Sequence, residues 1–69
     1  MNEIIFIVKE SPEGGYEAEA LGHSIFTEAD DMKKLKETVK DAVACHFENN
    51  DERPKIIRLH YVKEEIVAA

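Results

Sequence analysis

The chain has 69 residues and a formal net charge of −6, from nine basic and fifteen acidic side chains. A chain this short forms a single domain, 1–69, with a small core of its own, so we expect a homo-oligomer, a dimer or larger. The acidic balance argues against direct DNA binding, because affinity for phosphates rests on clustered Lys and Arg. It is compatible with a basic protein partner.

The N-terminus predicts neither a secretion signal nor a membrane span. Its apolar run covers only residues 4–8, which is far shorter than a signal-peptide core or a transmembrane segment. The single cysteine, Cys45, cannot form a disulfide within the chain, which favours a reducing compartment. We therefore expect a cytoplasmic protein with no membrane association.

The first predicted strand, IIFIVKE at residues 4–10, is apolar on both faces. β-branched and aromatic side chains favour the strand. Alternate residues point to opposite faces, which places Ile4, Phe6 and Val8 on one face and Ile5 and Ile7 on the other. Such a strand is usually central and covered on both sides, yet one helix covers only one face. One of the two sets is therefore a candidate interface, and the sequence leaves open which.

A turn and two strands follow. SPEGG, residues 11–15, predicts the turn, because proline fixes φ and glycine accepts positive φ. The alternation of residues 16–21 predicts a half-exposed strand. Its outward carboxylates, Glu17 and Glu19, are candidates for contacting a basic surface. HSIFTE predicts a third short strand that ends near Thr27.

From Asp31, the predicted N-cap, the apolar period becomes helical. One apolar stripe follows this period: Met32, Leu35, Val39, Ala42, Val43, His46 and Phe47. Pro54 cannot continue the helix. KIIRLHYV predicts the last strand, with Ile57, Leu59 and Tyr61 on one face and Ile56, Arg58 and His60 on the other. The tail EEIVAA follows, and the sequence leaves open whether it extends the last strand.

The predicted order is β-β-β-α-β, an α+β fold. Three strands can form an antiparallel meander, and the helix then returns the chain so that the fourth strand lies parallel to the first through a right-handed crossover. We expect one mixed four-stranded sheet with a single helix on one face.

No group of side chains predicts catalysis. Cys45 and His46 are neighbours on the helix, where adjacent side chains point about 100° apart, so they do not converge on one atom. His23, His46 and His60 lack the spacing of a metal motif. We expect no enzyme, metal or cofactor. The alternative is an orphan homo-oligomer that binds a metal or small ligand through these histidines.

Four short segments together resemble a known family. They are Gly-Tyr at 15–16, Leu-Gly at 21–22, TEADD at 27–31 and the helical residues 35–43. Their order and spacing are similar to those of the HicB-like antitoxins, and most closely to the short single-domain members of UPF0150 type. The chain departs from the family pattern at Ala29, where the family has glycine, and at Asp31, where it has a threonine cap.

The resemblance implies a partial ribonuclease-H-like sheet without nuclease residues, in a dimeric or larger assembly. It also implies a partner, because HicB-like antitoxins bind the small basic HicA toxin, which cleaves messenger RNA. The chain resembles the sheet-and-helix part of such proteins, so we expect a single HicB-like domain, 1–69, without a DNA-binding extension. The sequence leaves open whether a toxin partner exists and how many subunits assemble.

Overall fold

The structure, a computed structural model, describes residues 2–69. Its elements in chain order are β1 (Glu3–Glu10), β2 (Tyr16–Ala20), β3 (Phe26–Ala29), α1 (Met32–His46) and β4 (Ile56–Val62). The predicted α+β class and the order β-β-β-α-β are confirmed. Within the described residues, no helix is both long and apolar enough to cross a membrane.

The four strands form one mixed sheet in the order β3-β2-β1-β4. β1 is central and pairs antiparallel with β2 and parallel with β4, and β2 pairs antiparallel with β3. The predicted meander and the parallel return of the last strand are therefore confirmed. β3 and β4 form the two edges of the sheet.

The third strand differs from the prediction at both of its ends. β3 begins at Phe26 and continues to Ala29 rather than ending near Thr27. The backbone N–H of Ala20 donates to the carbonyl of Ile25 at 3.0 Å, which closes the turn before the ladder of β3 begins. The tail, residues 63–69, does not extend β4.

Helix α1 begins and ends at specific hydrogen bonds. The Asp31 carboxylate accepts from the backbone N–H of Lys34 at 2.7 Å, which confirms Asp31 as the N-cap. At the other end, the guanidinium of Arg53 donates to the carbonyls of Ala44 and Phe47 at 3.3 and 3.2 Å. These carbonyls would otherwise lack partners, because the last turn of a helix has no N–H groups for them.

The core lies between α1 and one face of the sheet. Leu35, Val39 and Val43 of the helix pack with the large buried side chains of β1. Apart from Tyr16 at the start of β2, the same face of β2 and β3 carries small residues: Ala18, Ala20, Thr27 and Ala29. Small side chains let the helix lie close to these two strands, and α1 packs on β2 and β3. The helix-side face of β4 is consequently only partly covered.

Candidate functional site

The sheet face opposite α1 has no covering layer within residues 2–69. We call it the open face. The ladder registers place the following side chains on it: Glu3, Ile5, Ile7, Lys9, Glu17, Glu19, Phe26, Glu28, Ile56, Arg58, His60 and Val62. The residues that alternate with Ile5 and Ile7 on β1 are buried against the helix. The open face is therefore the surface on which a second protein can complete the packing of the sheet.

The apolar side chains of the open face include Ile5 and Ile7 on the central strand β1 and Phe26 on the edge strand β3. Ile5 and Ile7 are half-buried by their neighbours. Phe26 is 58% exposed although it lies within a strand. In the ladder, Glu19 lies between Ile7 and Phe26, and His60 lies on the other side of Ile7. Accessible aromatic and aliphatic side chains with polar residues between them are typical of a protein-binding surface.

The charges on the open face are divided between paired and unpaired groups. The Glu3 carboxylate accepts a hydrogen bond from Arg58, and this bond and the charge of Glu3 raise the pKa of Arg58. Lys9 and Glu17 form an ion pair at 3.8 Å. In the part of the chain that the structure describes, Glu19 and Glu28 belong to no ion pair. The β2–β3 half of the open face is therefore its acidic half.

A second surface, the α1–β4 groove, lies where the helix leaves β4 partly uncovered. It encloses about 670 Å³, a volume within the range of ligand pockets. The apolar lining is formed by Val39, Val43, Ala44, Pro54, Ile57 and Leu59. The polar lining is basic: Lys36, Lys40, Arg53 and Lys55.

The chain is similar to two curated proteins, both named UPF0150 protein. One, from Archaeoglobus fulgidus, is 60% identical over 53 residues, which cover 77% of this chain and 77% of the relative. The other, from Thermotoga maritima, is 42% identical over 66 residues, which cover 96% of this chain and 91% of the relative.

The chain belongs to the UPF0150 family. The UPF0150 part of the resemblance is thereby confirmed, while the antitoxin function stays a prediction, because the name UPF0150 states no activity. No protein-family model matches the chain, and no solved structure matches it significantly. The function of this UPF0150 protein must therefore be inferred from its own surfaces.

The structure separates the predicted interface residues of the UPF0150 chain into two groups. Ile4, Phe6 and Val8 are buried beneath α1 and are at most 2% exposed, so they belong to the core and cannot contact a partner. The open face carries the second group, which consists of Ile5, Ile7, Glu17 and Glu19. The sequence left the choice of face open, and the position of α1 decides it.

The histidines of the UPF0150 chain do not converge. His23 and His46 lie near each other, with ring centroids 5.8 Å apart, and both rings contact Phe47. His60 lies on the open face. No three His, Cys, Asp or Glu side chains of residues 2–69 are close enough to hold a metal ion. Nothing in the structure supports the alternative of a metal site built from the three histidines.

One prediction about the end of the helix is wrong. His46 was predicted to lie in the apolar stripe, yet its side chain is exposed. The helix ends at His46, and the next residue, Phe47, packs against the core.

Phe26 lies on the open face but is not among the interface residues predicted from the sequence. Its signal was the alternation in IFT, which puts Ile25 and Thr27 on one side and Phe26 on the other. An aromatic residue is normally assigned to the core before a threonine, so hydrophobicity and alternation conflicted at this position. The α1–β4 groove left no signal in the sequence, because it depends on where the helix lies across the sheet.

Proposed function

We propose that this UPF0150 protein is a cytoplasmic, non-catalytic binding domain of the HicB type. It neutralises a small basic, mRNA-cleaving toxin of the HicA type by protein–protein contact. The observation that carries the proposal is the open face, an uncovered sheet surface with accessible apolar side chains and an acidic half. The resemblance to HicB-like antitoxins supplies the class of partner.

The apolar side chains of the open face provide the affinity in this proposal. Ile5 and Ile7 lie on β1, and Phe26 lies on the same face beyond Glu19; all three lose contact with water when a second protein covers them. Burial of apolar surface contributes roughly 25 cal/mol per Å². Aromatic side chains commonly dominate the energy of an interface, so the loss of Phe26, which is 58% exposed on the edge strand β3, should weaken binding most.

The acidic half provides the preference for a basic partner. Glu19 and Glu28 lie beside Phe26 and Glu17 in the ladder and have no ion-pair partner within residues 2–69. Complementary charge speeds association and disfavours acidic competitors more than it adds to affinity. A partner with Lys and Arg around an apolar patch fits this arrangement.

The chain also forms a homo-oligomer in this proposal. A 69-residue chain has a small core, and two separate apolar surfaces, the open face and the α1–β4 groove, remain uncovered in a single copy. Assembly can cover one of these surfaces while the other stays available. The proposal assigns no catalytic role to Cys45 or to the histidines.

The first experiment is affinity capture of the tagged protein from its own host, with mass spectrometry of the bound proteins. The Phe26→Asp variant is captured in parallel, and Ala68→Asp serves as the control. It makes an apolar-to-acidic change at an exposed position near the end of the tail. We expect the wild type and A68D to retain a small basic protein at a fixed ratio, and F26D to lose it.

A ribonuclease assay then separates neutralisation from mere binding. The captured partner, freed from the bait, should cleave RNA, and the added wild-type chain should suppress the cleavage where F26D does not. Recovery of the bait alone, or a partner whose activity the chain leaves unchanged, would overturn the antitoxin proposal.

A further inference from the structure

The α1–β4 groove concentrates positive charge in an acidic protein. Four of the nine basic residues line it, and no carboxylate does. Arg53 is engaged with the carbonyls at the end of α1. The other three, Lys36, Lys40 and Lys55, are exposed, and none takes part in the ion pairs formed within residues 2–69. The groove is therefore an apolar surface with a basic rim, and three of the rim's lysines have no anionic partner within residues 2–69.

The tail of the same chain has the complementary chemistry. Residues 64–67 read Glu-Glu-Ile-Val. Ile66 is 98% exposed and Val67 is 87% exposed, so these two aliphatic side chains are not buried within their own copy. The two preceding carboxylates, Glu64 and Glu65, are exposed as well. Two acidic residues followed by two aliphatic ones match a basic rim around an apolar floor.

The direction of β4 separates the tail from the groove of its own copy. Ile57 and Leu59, on the floor of the groove, precede Val62, where β4 ends. From Leu59, the floor residue nearest the end of the strand, to Val62 the strand advances about 10 Å beyond the floor. The molecule is 50 Å long, whereas its longest strand, of eight residues, spans about 26 Å. This length is consistent with a tail that extends beyond the sheet.

We propose that the α1–β4 groove binds residues 64–67 of a second copy of this chain, and that two copies exchange these segments reciprocally. Ile66 and Val67 lie on the floor beside Leu59 and Val43, and the carboxylates lie beside Lys36, Lys40 and Lys55. Reciprocal exchange of one element makes a closed two-fold assembly, because both copies give and receive the same contact. This inference rests on the homo-oligomer of the proposed function and names its contact, and it leaves the open face free for a toxin.

Charge reversal tests the exchange. One variant carries Lys36→Glu and Lys40→Glu, and the other carries Glu64→Lys and Glu65→Lys. Each variant alone opposes like charges at both contacts, so we expect light scattering to give half the molar mass of the wild type. In an equal mixture of the two variants, each groove meets a tail of opposite charge. The mixture should return to the wild-type mass.

A matched control reverses charge on the same helix outside the groove. Lys33→Glu with Lys34→Glu makes the same change in charge near the start of α1, and we expect it to keep the wild-type mass. Circular dichroism of every variant verifies the fold, since all the altered side chains are exposed. The exchange is refuted if the two groove and tail variants keep the wild-type mass, or if mixing them does not restore it. Neither result depends on whether a toxin binds the open face.

Discussion

Thr27 is buried where an apolar side chain would be expected. It is 6% exposed, and its hydroxyl has no hydrogen-bond partner within residues 2–69. The position faces α1, which lies close to β3 and leaves space for a small side chain only. Threonine has the required size and β propensity, but its unpaired hydroxyl is destabilising.

Replacing Thr27 with valine should stabilise the protein. The methyl group fills the same space and removes the unpaired hydroxyl, so we expect the free energy of unfolding to rise by about 1 kcal/mol and the melting temperature by roughly 4–8 °C. Urea and thermal unfolding measure both. Thr38→Val is the control, because the Thr38 hydroxyl donates to the carbonyl of Lys34 at 2.7 Å. An equal gain in both variants would contradict the explanation.

Tyr61 should titrate at unusually high pH. Its hydroxyl donates to the Glu10 carboxylate at 2.8 Å, and this hydrogen bond, with smaller contributions from burial and nearby charge, raises the pKa of Tyr61 to about 12. Because the folded pKa exceeds the ordinary value of 10.0, the contact stabilises the fold fully below pH 10, and this stabilisation is lost as the pH rises to about 12.

The tyrosinate absorbance of a Tyr16→Phe variant reports Tyr61 alone, because the chain has two tyrosines. We expect its titration midpoint near the raised pKa of Tyr61, and a return toward the ordinary tyrosine value when Glu10→Ala is added. A midpoint that does not respond to the loss of Glu10 would show that the hydrogen bond is not the cause.

At the scale of elements, the start of α1 depends on one side chain. Asp31→Ala removes the carboxylate that accepts from Lys34, and we expect the free energy of unfolding to fall by about 1 kcal/mol. Asp31→Ser should retain most of the stability, since serine also caps helices. Asp30→Ala is the control for the lost charge. Chemical denaturation compares the variants, and equal losses for Asp30 and Asp31 would contradict a specific cap.

Periodicity predicted α1 and the first two strands because their residues alternate or recur regularly. Periodicity could not predict the register between β1 and β2, because β1 is apolar on both faces. A register shifted by one residue would place Ile5 and Ile7 on the same face as the alanines of β2. The turn fixes this register. The backbone N–H of Ser11 donates to the carbonyl of Gly15 at 2.9 Å. Gly15 has φ +79°, and a Cβ there would lie 2.6 Å from the carbonyl oxygen of Ala29.

At the scale of the whole molecule, the sequence predicted the topology and four of the twelve side chains of the open face as interface candidates. Ile5, Ile7, Glu17 and Glu19 were recognised as candidates because strand alternation is local. Their common location on one uncovered face depends on the register, and the α1–β4 groove depends on side-chain size across three strands and the helix. The shared face and the groove arise from the packing of residues that are distant in the chain, so no local sequence pattern predicts them.

The parallel pairing of β1 with β4 joins residues that are far apart in the chain, as in the pair Ile4 and Ile57. During synthesis on the ribosome, β1 emerges first and can pair with β2 soon afterwards. Its other edge stays unpaired until residues 56–62 have also emerged. Unpaired edges and exposed apolar surface make folding intermediates prone to aggregate. We therefore expect ribosome-bound chains in which β4 has not yet emerged to be more prone to aggregation than the completed protein.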